Sequence, residues 1–91
     1  MLRTPVAGRR LEILERLKDP EAHFPGRRRA DGVGADTVAA ALGVPHRVVE
    51  TDLALLARLG LLRTRRDGNR TLYRRDEMRI AEVARLFEKG W

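Results

Sequence analysis

Apolar residues recur along this chain in two rhythms, and the change of rhythm divides it into elements. Over residues 6–18, "VAGRRLEILERLK", Ala7, Leu11, Leu14 and Leu17 follow at spacings of four and three, with Ile13 beside them. That is the period of an amphipathic helix, and Asp19-Pro20 should end it. Residues 19–35 lose the rhythm. Pro20, Pro25, Gly26, Gly32 and Gly34 punctuate them, which predicts a loop with at most one short turn near Glu21–Phe24. Helical spacing returns over 36–42, with Asp36 as the expected N-cap and Gly43 as a left-handed stop. Pro45 opens a further helix, 45–59, closed by Gly60. Residues 62–75, "LRTRRDGNRTLYRR", read as two strands around an Asp67-Gly68 turn. Asp76 then caps a last helix, 77–89, whose Ile80, Val83, Ala84 and Phe87 form a stripe that Trp91 extends.

The order is helix, loop, helix, tight turn, helix, hairpin, helix. It predicts one domain over 1–91, mainly α with a small β-hairpin: a winged helix-turn-helix. In that motif the second helix of the tight pair enters the major groove of DNA.

Charge sharpens this expectation. The 91 residues carry a net charge of +6, and of the 19 basic residues only Lys18 and Lys89 are lysines. Two causes are open for the arginine excess: planar recognition of phosphate and guanine, or a GC-rich codon bias, which also suits the many Ala, Gly and Val. Position says more than amount. Residues 63–75 hold six arginines (Arg63, Arg65, Arg66, Arg70, Arg74, Arg75) against the single acid Asp67. Arg63, Arg65, Arg66, Asn69 and Arg70 are therefore the expected DNA contacts of the wing, on phosphates or in the minor groove. The competing reading is a solvated hairpin whose charges protect an edge strand. Arg27–Arg29 form a second basic cluster, suited equally to flanking phosphates and to a solvated loop.

The helix at 45–59 raises a difficulty, because it carries Glu50 and Asp52. At about 100° per residue, Val49, Leu53, Leu56 and Leu59 define its inner side, while Arg47, Thr51, Ala54 and Arg58 share the outer one. Asp52 falls beside the inner side, where a structural role is expected, either pairing with a cation or bonding a free backbone N–H. Glu50 falls on the shoulder of the outer face. It is a solvated or arginine-paired surface residue, an acceptor for cytosine N4, or a group that disfavours DNA. The expected contacts of the helix are His46, Arg47, Thr51 and Arg58, with Glu50 left open. His23, beside Phe24, reads as a packing or loop residue.

Residues 36–75 resemble the ArsR-type winged-helix transcriptional regulators. The resemblance rests on an apolar helix ending "AALGVP", on "L..L...GLL" in the next helix and on the "R.G....YR" hairpin; "HFPG…ADGVG.D" upstream also looks like one branch of that family. MarR-like and DeoR-like winged helices share the pattern. The resemblance implies a homodimer packed through the first and last helices (Leu11, Leu14, Leu17; Ile80, Val83, Ala84, Phe87, Trp91) and repression of a nearby promoter. Metal-sensing members carry a Cys-x-Cys box before the turn or paired Asp and His on the last helix. This chain has no cysteine, and "DEMRIAEVARLFEKGW" has no histidine, so neither a metal nor another cofactor is expected. No small-molecule effector can be named.

Two other classes compete. Glu50 and Asp52 favour a winged-helix module that binds protein and does not read DNA. An enzyme has little to build on, with two histidines, no cysteine and no nucleophile–base pair. No apolar run approaches the ~20 residues of a membrane span, and "MLRTPVAGRR" lacks a signal peptide's apolar core. A cytoplasmic protein without a membrane partner is the expectation.

Overall fold

The computed structural model describes residues 6–24, 26, 28 and 30–88. It is mostly helical with a small antiparallel sheet, an arrangement compatible with a winged helix-turn-helix. The elements are α1 (Val6–Lys18), α2 (Pro20–His23), β1 (Val33–Gly34), α3 (Ala35–Leu42), α4 (His46–Arg58), β2 (Leu62–Asp67), β3 (Arg70–Arg75) and α5 (Glu77–Glu88). No helix among the described residues is long and apolar enough to cross a membrane.

The core gathers one face from each early element: Ile13 and Leu17 of α1, Val38 and Ala39 of α3, and Val49, Leu53 and Leu56 of α4. Leu62 closes it from β2, and Leu72 of β3 is buried as well. Leu17 thus differs from its expected place between subunits. It is 1% exposed, because the four-three spacing that makes α1 amphipathic turns it onto the protomer's own core. Phe24, which follows α2, is fully buried and meets His23 edge-on with ring centroids 6.5 Å apart. Burying a phenylalanine contributes about 1.5–3 kcal/mol, enough to draw the Pro- and Gly-rich segment onto the body.

That segment also supplies a strand. Val33 and Gly34 pair with Tyr73 and Leu72, so the hairpin becomes a three-stranded sheet in the order β1-β3-β2. Gly32 leads into it at φ +84°, where a Cβ would lie 3.1 Å from Leu72 Cβ and 3.2 Å from the Tyr73 carbonyl oxygen. The obstruction is backbone and core, which cannot swing aside. Gly32→Ala is expected to destabilise the fold by about 1–3 kcal/mol, combining left-handed strain with overpacking. Urea unfolding would measure it; a loss under a few tenths would contradict the packing described.

The two helices of the tight pair end by the same device. Gly43 is left-handed at φ 66°, and the N–H of Val44 reaches back to the Ala39 carbonyl at 3.2 Å. Gly60, at φ +82°, lets Leu61 donate to Leu56 at 3.0 Å. These six-to-one bonds satisfy carbonyls that a helix end leaves free. Leu59, still right-handed at the C-cap of α4, is 52% exposed although periodicity places it on the inner stripe, because the stripe there runs past the end of the core. Asp36 also differs from expectation. α3 starts at Ala35 with Gly34 at the cap position, so Asp36 lies in the first turn. Asp76 does cap α5, accepting from the Arg79 N–H at 3.1 Å.

Candidate nucleic-acid interface

The exposed side of α4 holds Arg47, Thr51, Ala54 and Arg58, with His46 and Glu50 exposed on its first turns. Four-residue spacing makes two local contacts there. The Thr51 hydroxyl donates to the Arg47 carbonyl at 3.0 Å, and His46 Nδ1 lies 3.2 Å from Glu50 Oε1. Neither Arg47 nor Arg58 has an acceptor among the described residues.

Asp52 has turned the other way. It is 1% exposed and bonds two guanidiniums of α1: Arg9 through Nε and, at 3.2 Å, Nη2, and Arg10 through Nε at 3.0 Å. Burial alone would raise the carboxyl. The hydrogen bonds and charges of Arg9 and Arg10 outweigh it and hold Asp52 below the usual aspartate range. The acid is a fastener between α4 and α1.

The wing arginines divide into two sets. Arg63 sits at the wing's base, its Nε 3.1 Å from Asp76, the cap of α5. Arg65 donates to the Asp31 carbonyl at 2.8 Å, and Arg70 to Asp36 Oδ1 at 2.9 Å. Arg75 donates to the Leu14 carbonyl at 2.8 Å and pairs with Glu77. These side chains fasten the sheet to α1, α3 and α5. Desolvation pushes Asp36 up, but bonds from Arg70 and the Thr37 N–H bring it below its ordinary value. Asp76 is lowered by the Arg79 N–H and by Arg63. Arg66, which only spans the hairpin to Thr71 at 3.2 Å, and Asn69 at the tip remain exposed. Of the five expected wing contacts, Arg63, Arg65 and Arg70 therefore have structural partners.

The wing tip and the start of α4 face one another across a cleft of 420 Å³, bordered by His46, Glu50, Arg66, Asn69, Arg70 and Tyr73 with Gly34 and Asp36. Arg47, Thr51, Arg58, Arg63 and Arg65 lie outside it. Burial, and then the charge of Glu50, push the Tyr73 phenol up. Among the described residues no group of three His, Asp or Glu side chains is placed to hold a metal ion.

No family model matches the chain. It is 34% identical over 79 residues to an uncharacterized HTH-type transcriptional regulator, YbzH, of Bacillus subtilis (strain 168), covering 82% of this chain and 79% of the relative. The chain belongs to the helix-turn-helix transcriptional regulators. In this regulator a short turn at residues 43–45 joins α3 to α4. Transcriptional regulators are a non-enzymatic class.

The expected structural role of Asp52 is met by a pair of cations, Arg9 and Arg10, which sequence reasoning did not name; it also missed the anchoring of Arg65 and Arg70. The one available signal was the inner position of Asp52 on its helix. The basic loop lies partly beyond the description: Arg27 and Arg29, like the Phe87 side chain and Trp91, are outside the described residues.

Proposed function

We propose that this regulator is a sequence-specific, double-stranded-DNA-binding protein of the ArsR type, a repressor that acts as a cytoplasmic homodimer without a bound metal. The observation that carries the DNA reading is that Arg47 and Arg58, on the outer face of α4, have no acceptor among the described residues, while Arg66 and Asn69 are exposed on the wing. His46, Arg47, Thr51 and Arg58 face the groove, while Arg66 and Asn69 reach the flanking backbone. The burial of Asp52 removes half of the case for a module that binds only protein. Mobility shift against genomic fragments tests the reading. Retarded fragments competed poorly by random duplex support it, and co-purification of a protein partner with no retardation refutes it.

The homodimer rests on exposed apolar side chains of the two terminal helices. Leu11 is 63% exposed and Leu86 52%. Ile80 and Val83 are half-buried, Ala84 is exposed, and no described side chain of α5 is fully buried. Leu14 packs partly on the core, which leaves Leu11 as the main contribution of α1. A twofold pair covers these groups and sets two α4 helices roughly 34–36 Å apart, one turn of DNA. Placing glutamate at both Leu11 and Leu86 is expected to weaken the dimer by about 3 kcal/mol or more, above a hundredfold. Sedimentation at tens of micromolar checks this, and a wild-type chain that stays monomeric contradicts it.

A further inference from the structure

We propose that Glu50 reads a base, its carboxylate accepting a hydrogen bond from cytosine N4 and so selecting a C·G pair at one position of the site. The proposal rests on the DNA-binding reading above and gives that site a specificity. Glu50 lies one turn into α4 and is 56% exposed, in the stretch of such a helix that approaches base edges. Arginines are abundant in the chain, yet none of the described ones pairs with it. In the shared cleft Arg70 bonds Asp36, the exposed Arg66 reaches only Thr71 across the hairpin, and neither bonds Glu50. Glu50's partner among the described residues is the His46 ring, which carries charge only when protonated.

A carboxylate facing a duplex is repelled by every phosphate. The only DNA groups that offset this are base N–H donors, and in the major groove these are cytosine N4 and adenine N6. Adenine sets its N7 acceptor beside N6, so a second carboxylate lone pair meets repulsion there. Cytosine has no such acceptor on that edge, which makes it the better match. Arg47 is next to Glu50 in sequence order along the exposed face and supplies positive charge close by. The same side chain thus costs affinity on random sequence and returns it only at the right base.

The test is selection of duplexes from a randomised pool by the full chain and by Glu50→Gln and Glu50→Ala, followed by titration of single-base variants of the selected site. Wild type is expected to favour cytosine at one position by roughly tenfold. Glu50→Ala should lose that preference and bind random duplex more tightly. Glu50→Gln should move the preference toward adenine, which an amide matches through N6 and N7. Unchanged base preferences in both variants, or equal weakening on all sequences, overturn the proposal. A wild-type chain that enriches no sequence overturns the DNA-binding reading itself.

Discussion

Asp52→Ala is expected to destabilise the protein by about 3 kcal/mol, more than any exposed substitution on α4. The carboxylate is buried and carries three hydrogen bonds from Arg9 and Arg10. Its removal leaves two guanidiniums packed against the inner side of α4 with nothing to accept from. Their side chains keep 23% and 32% exposure, so water recovers part of the loss and the figure stays at the low end for a broken buried pair. The pH dependence follows from the depressed carboxyl. A group held below its unfolded value, about 3.9 for aspartate, stabilises fully above that value. The contribution disappears as pH falls through the folded-state value. Wild type should lose stability through this acid window, and Asp52→Asn should lose less of it while being weaker at pH 7. Parallel wild-type and variant curves below pH 4 would show that Asp52 is not the linked group.

Replacing Arg47, Arg58 and Arg66 together with alanine is expected to remove most non-specific DNA affinity. Three lost phosphate contacts lower the salt slope by roughly 2–3, a loss on the order of a few hundredfold at about 0.1 M salt. The matching triple change at Arg63, Arg65 and Arg70 should flatten the slope much less, because those guanidiniums are engaged by Asp76, the Asp31 carbonyl and Asp36. Titration of one random duplex at several salt concentrations separates the two sets, and equal slopes would show that the fastened arginines let go to bind.

What the sequence made legible was local. Helical spacing from Leu11 to Leu17 and from Val49 to Leu56, left-handed glycines at 43 and 60, and a hairpin turn at Gly68 act within a few residues of themselves; the turn falls on Gly68-Asn69, one residue later than the expected Asp67-Gly68, because Asp67 still pairs with Arg70. So does the outer face of α4, since Arg47, Thr51 and Arg58 are placed by helix geometry alone. What stayed hidden was joined across the chain. Asp52 meets arginines 42 and 43 residues away, and Arg70 meets an acid 34 residues away. β1 is two residues long, too short for alternation to register. Phe24 is a lone aromatic between prolines, with no period to mark it as core. Leu17 could not be divided between core and interface by spacing, because both lie on the same face of α1.

The central claim is that the exposed face of α4 and the adjoining wing tip bind duplex DNA with sequence preference. Competition binding at physiological salt tests it most directly, with the selected site labelled and random duplex as competitor. The site is expected to be held at least about a thousandfold more tightly than random sequence. Equal affinity for both, or no retention of either even at low salt, would contradict it.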